Sequence, residues 1–122
     1  MNVNQARKNI DKKMKKIKQR HFYSINSKRV KGHKGQITKK NKNGKIEAVI
    51  LTHAKYTRGV KNIPLENNPE IDRLEQSYIV REKEIVNKKQ IGKHHENVVV
   101  KNKSDKSKIR YVAKKKKQKK ME

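Results

Sequence analysis

Thr52-His53, closing an apolar run, and His33, inside the Gly-flanked basic stretch Gly32-His33-Lys34-Gly35, are the residues of this chain best suited to moving protons near neutral pH. An unperturbed imidazole titrates near ~6.5 and works as acid or base there. Arg29 and Arg58 add guanidinium charge that persists at any physiological pH. These are the types that metal-independent cleavage of RNA requires: a base for the 2′-OH, an acid for the leaving 5′-oxygen, and positive charge beside the phosphorus in the transition state. In such a scheme His33 or His53 is the base or the acid, Arg29 and Arg58 hold the phosphate, and Thr52 donates a hydrogen bond. The competing reading makes all of them polar residues of basic loops that touch phosphates or solvent, because no spacing among them is diagnostic. His94-His95-Glu96 invites a metal interpretation, but adjacent residues diverge and no further ligand recurs at a binding spacing. A solvated turn is expected there, and no metal or other cofactor. The chain has no P-loop, dinucleotide fingerprint or G-x-S-x-G elbow.

The elements that must position these residues are short. Val3, Ala6, Ile10, Met14 and Ile17 form one stripe of a helix over about residues 3–19 whose other faces are nearly all Lys and Arg. From His21 the period changes, and His21-Phe22-Tyr23-Ser24-Ile25 reads as a first strand. Ser27 to Gly35 reads as a basic loop. Gln36 to Lys40 and Lys45 to Thr52 are strands joined through Asn41-Lys42-Asn43-Gly44, where Asn-Gly suits a tight hairpin. Ala48 to Leu51 marks the central strand. A second polar loop, Thr52 to Gly59, carries Lys55, Tyr56 and Arg58, and Tyr56 is open to two roles, stacking a base or covering the rim of the sheet. Val60 to Leu65 contains Pro64, which suits a sheet edge. Strands at Ser77–Val80, Glu84–Val86 and Asn97–Lys101 and a final helix near Ser104, with Ile109, Val112 and Ala113 inward, complete the set. The spacing predicts a mainly β domain of six or seven short strands, a small bent sheet or barrel with terminal helices. The divisions are a basic helix over residues 1–20, a domain over 21–113 and a basic tail over 114–122.

The charge is unevenly spread. Residues 1–45 hold 16 Lys and Arg against one acid, residues 46–100 hold nine against eight, and residues 101–122 hold 11 against two. A net charge of +25 on 122 residues excludes a generic neutral globule. Such blocks attract polyanions through counterion release, so nucleic acid is the expected partner, RNA ahead of DNA. Lys28, Arg29, Lys31, Lys34, Lys55, Tyr56, Arg58, Lys88, Lys89 and Lys93 are the expected contacts. Neither end has the broad apolar face that membrane binding needs. With no Cys and no apolar run of membrane-spanning length, the chain reads as soluble and cytoplasmic.

Several phrases carry a resemblance. Ala48-Val49-Ile50-Leu51-Thr52 is similar to the central strand of the MazF/PemK-like family of SH3-like barrels, typically toxin endoribonucleases. Ser77-Tyr78-Ile79-Val80 and the stretch from Glu84 to Lys93 resemble that family's closing strands and basic turn. The resemblance covers roughly residues 21–113. It implies an SH3-like barrel, RNA cleavage without metal, a homodimer and a cognate antitoxin as partner. It also implies a catalytic pair, an Arg before the second strand and a Thr or Ser ending the central one. Thr52 falls on the second position. At the first, the family's Arg-Pro is replaced by Gly32-His33 or His33-Lys34, and Arg29 lies four residues earlier. The alternative is a non-catalytic RNA- or DNA-binding accessory protein, ribosome-associated or encoded by a mobile element.

Overall fold

The computed structural model describes residues 17–71 and 73–116. Among these residues, nine strands and one α-helix follow in the order β1 (Phe22–Asn26), β2 (Lys31–Lys40), β3 (Ile46–Thr52), β4 (Tyr56–Thr57), β5 (Val60–Lys61), β6 (Ile63–Pro64), β7 (Tyr78–Ile79), β8 (Glu84–Val86), β9 (Ile91–His95) and α1 (Lys103–Lys114). All ladders are antiparallel. The main sheet runs β6-β7-β3-β2-β1-β9, β8 pairs with the start of β3, and β4 and β5 form a separate hairpin. The fold is therefore mainly β, as composition and spacing predict.

Every residue of β3 is buried because the sheet is covered on both faces. Ile46, Ala48 and Ile50 pack with Tyr23, Ile25, Ile37, Val86 and Ile91 on one side. Val49 and Leu51 pack with Phe22, Ile79, Val98, Ile109 and Val112 on the other, where α1 lies. The β2–β3 turn is built as Asn43-Gly44 suggests: Gly44 takes a φ of +84°, and Asn41 N–H donates to the Lys45 carbonyl. Gly35 is required for a different reason. A methyl group there would lie 2.7 Å from Ile25 Cγ1 and 3.0 Å from Ile50 Cδ1. Gly35→Ala is expected to destabilise the domain by about 1–3 kcal/mol, measurable by urea unfolding, since overpacking moves neighbours off their rotamers. An unchanged midpoint would show that β2 can lift away from the core.

Several expectations need correction. The strand path is open, with ends at β6 and β9 that no ladder joins among the described residues, instead of a closed barrel. Its β6 end is only two residues long and contains Pro64, which has no N–H to donate. Strands exceed the expected six or seven because Tyr56–Thr57 and Ile91–His95 are strands as well, and because Val60–Leu65 divides around buried Asn62, whose amide donates to the Ala54 carbonyl and Thr57 Oγ1. The basic loop ends earlier than its composition suggests, since β2 begins at Lys31 and places His33 and Lys34 on a strand. His94 and His95 belong to β9 and not to a solvated turn: His95 Nε2 is 2.7 Å from Ser24 Oγ, and His94 stacks on Tyr23. Tertiary pairing with β1 overrides their weak strand preference. Asn97–Lys101 is reduced to one bridge between Glu70 and Val98.

Helix α1 starts one residue before Ser104 and is capped by Asn102, whose side chain accepts from Asp105 N–H. Of the helix expected over 3–19, residues 1–16 lie outside the described residues; residues 17–20 form a bend and turn, with Ile17 buried.

Candidate nucleic-acid interface

The register of β2 on β3 sets Gly35 opposite Ile50, which brings His33 and Lys34 beside the end of β3. A cleft of about 460 Å³ opens there, lined by Lys31, His33, Thr52, His53, Glu70 and Arg73 among others. Three of the four sequence-derived catalytic candidates, Thr52, His33 and His53, thus border one space. Thr52 lies on the Ala48 and Ile50 side of β3, and His53 follows it in the bend beyond the strand. The Thr52 hydroxyl accepts from Ala54 N–H at 3.1 Å, so it is engaged in the turn that follows β3.

Glu70 is the centre of the cleft. Its Oε2 accepts from Lys34 Nζ at 2.6 Å and lies 3.3 Å from Arg73 Nε, and its Oε1 is 3.0 Å from His53 Nε2. The turn that presents it is held by its own N–H donating to Asn68 Oδ1 and by its bridge to Val98. Burial pushes the Glu70 carboxyl up, but the Lys34 hydrogen bond and the charges of Lys34, Arg73 and His53 outweigh this and hold it below the ordinary value. Beyond Glu70 the surface continues into a second open cleft bordered by Lys34, Arg73, Lys93, His94 and His95. There His95 is lowered by burial, then by Lys34 and Lys93. The seam carries a third histidine, His21, whose Nδ1 is 3.0 Å from His94 Nε2.

These directions predict an acid-labile domain. A His with a lowered folded pKa, and carboxylates with lowered folded pKa values, contribute stability above their unfolded values that is lost as pH falls through the folded ones. Loss begins with His95 below 6.5 and deepens with Glu70 and Glu47 below 4.5. The melting temperature is expected to drop most between about pH 5 and about pH 3, and Glu70→Gln to flatten that drop. A melting temperature constant over that range would remove the assigned role of these groups.

The other candidates lie elsewhere. Arg29 is paired with Glu82 Oε2 at 2.9 Å and lies 3.7 Å from Glu84 Oε1, bordering a different cavity with Arg58. Lys28 is exposed in the β1–β2 loop. Lys55 and Tyr56 are exposed at the start of the β4–β5 hairpin, with Lys55 Nζ 5.9 Å from the Tyr56 ring centre. Lys89 is exposed, whereas the Lys88 ammonium is buried with no hydrogen-bond partner among the described residues. Lys93 is exposed on β9 beside the Glu70 cleft.

Glu70, Arg73 and the Ser24–His95 pair are functional candidates that sequence reasoning missed. Glu70 lies in an acidic turn, and its link to Lys34 spans 36 positions with no local signal. Among the described residues no group of three or more His, Asp or Glu side chains is arranged to hold a metal ion, and no helix is long and apolar enough to cross a membrane. Compared with protein-family models, curated proteins and solved structures, the chain has no match.

Proposed function

We propose that this chain binds nucleic acid, single-stranded RNA ahead of DNA, along the cleft at the ends of β2 and β3. The observation that carries the reading is the convergence of Lys31, Lys34, Arg73 and Lys93 around adjoining clefts on a chain of net charge +25. Cations grouped along a groove neutralise successive phosphates, and the release of counterions drives association. The MazF/PemK-like resemblance, with the homodimer and antitoxin it implies, belongs to the same proposal, although the open strand path departs from that family's closed SH3-like barrel.

A second reading, metal-independent RNA cleavage, is favoured by the meeting of His33, His53 and Thr52 at one cleft. In that reaction a base takes the 2′-OH proton, the 2′-oxygen bonds to phosphorus, the bond from phosphorus to the 5′-oxygen breaks, and an acid returns a proton to that oxygen. The products are a 2′,3′-cyclic phosphate and a 5′-OH. His53, held at Glu70, is the better-placed imidazole, and Lys34 and Arg73 supply the charge beside the phosphate.

The test is incubation of the full chain with mixed-sequence RNA and a chelator, beside Thr52→Ala and His53→Ala. Cleavage to cyclic phosphate ends that both variants reduce by about 100-fold would support catalysis. Intact RNA retarded on a gel would leave a non-catalytic RNA-binding protein. RNA neither cut nor retarded would end both readings.

A further inference from the structure

Apart from the adjoining clefts around Glu70 there is a second basic site, a cleft on the other side of the β4–β5 hairpin, and we infer that it takes one nucleotide of the same RNA strand. This inference rests on the RNA-binding reading and extends it. The cleft, of about 260 Å³, is formed by the tip of the hairpin, the segment between β7 and β8, and the residues after α1. It shares no lining residue with the Thr52 cleft.

Apart from Lys115, whose ammonium lies over the Tyr111 ring, its cations divide into two sets. Arg29 is held by Glu82, and Lys83 by Glu47 Oε1 at 2.6 Å, so these maintain the walls. Arg58 and Lys116 have no hydrogen bond or ion pair among the described residues, and Arg81 uses its Nε on the Lys61 carbonyl while its terminal nitrogens remain available for a ligand. Val60, 52% exposed, supplies an apolar surface between these charges, backed by the largely buried Val80. Phosphate on the guanidinium groups and a base on the valines match that division.

The backbone is an independent sign. Thr57 pairs with Val60 across a two-residue loop in which Arg58 has φ +48° and Gly59 φ +77°. Such loops favour Asn or Gly at the first position, and a long side chain there is strained. An Arg kept at this position against local preference fits a role in contacting a ligand. The segment from His53 to Arg58 borders the first cleft at its start and the second at its end. Between them Tyr56 is 55% exposed, a stacking surface for a base passing from one cleft to the other.

The test compares binding of fluorescent RNAs of about 4 and about 12 nucleotides by the full chain and by Arg58→Asn, Tyr56→Ala and Lys31→Ala. Asn is the residue this turn prefers, so Arg58→Asn is expected to melt no lower than the parent chain. It is also expected to bind the longer RNA about 10-fold more weakly, with the salt slope reduced by about 0.7, while the shorter RNA is unaffected. Tyr56→Ala is expected to lose about 10-fold on the longer RNA. If the parent chain binds neither RNA, the RNA-binding reading itself fails. If it binds both and Arg58→Asn and Tyr56→Ala retain its full preference for length, the second subsite is overturned and the first cleft stands. Binding of polyglutamate that is lost in Arg58→Asn, with RNA binding unchanged, would assign the cleft to an acidic peptide and overturn the inference.

Discussion

Asp105→Ala is expected to lower the stability of the domain by about 3–5 kcal/mol, the range for removing one partner of a buried charged network. Asp105 is 1% exposed at the start of α1. One carboxylate oxygen accepts from Glu66 N–H at 2.8 Å; the other accepts from Asn67 N–H at 3.1 Å and Asn102 Nδ2 at 2.8 Å. Burial pushes its carboxyl up, but the hydrogen bonds from Glu66, Asn102 and Asn67 and the charge of Lys108 hold it below its ordinary value. Alanine would leave two backbone N–H groups without their acceptor and release the loop after β6 from α1. That helix contributes Ile109 and Val112 to the second core, so the damage spreads to the Val49 and Leu51 side of β3. For a domain of ordinary stability, about 5–15 kcal/mol, this is a large fraction of the total. Urea unfolding followed by circular dichroism measures it, and a loss under about 1 kcal/mol would show that water replaces the carboxylate. Asp105→Asn separates charge from shape: its amide presents two donors where donors already converge, so it is expected to recover only part of the loss.

The largest effect on binding is expected from salt. A single strand releases counterions with a slope of about −0.7 per phosphate neutralised, so six to ten contacts correspond to a loss of about 300- to 16,000-fold between about 50 and about 200 mM salt. The charge bookkeeping says where that slope arises. Residues 46–100 are nearly neutral, and within the sheet Glu70, Glu82 and Glu47 engage Lys34, Arg29 and Lys83. The uncompensated cations therefore lie mainly at the two ends of the chain and on the exposed edges of the clefts. Deleting residues 114–122, which removes six lysines and one glutamate, is expected to reduce the slope while leaving the fold intact. Equilibrium binding at a series of salt concentrations measures both. A flat dependence for the parent chain would remove the polyanion reading altogether.

How far the sequence alone reaches depends on the distance over which each feature is encoded. Ala48 to Leu51 marked the central strand because a continuous apolar run must be covered on both sides, and Asn43-Gly44 marked its hairpin because the required left-handed backbone is a property of those residues. Pro64 fitted an edge strand through its missing N–H, and Ile109 and Val112 announced the buried face of α1 through helical spacing. The segregation of charge needed only counting. The candidate site was less accessible. Thr52 and His33 were identified by type, but Arg29 turned to Glu82, and Glu70, the group that organises the cleft, went unnoticed. Its partners are Lys34 on β2 and His53 just past β3, and Ser24 meets His95 across 71 positions. Local propensity and periodicity carry no record of which distant side chains will meet. Residue types by themselves determined a mainly β chain with polycationic ends, whereas strand register and the docking of Glu70 on Lys34 of β2 decided which cations are neutralised and which face a cleft.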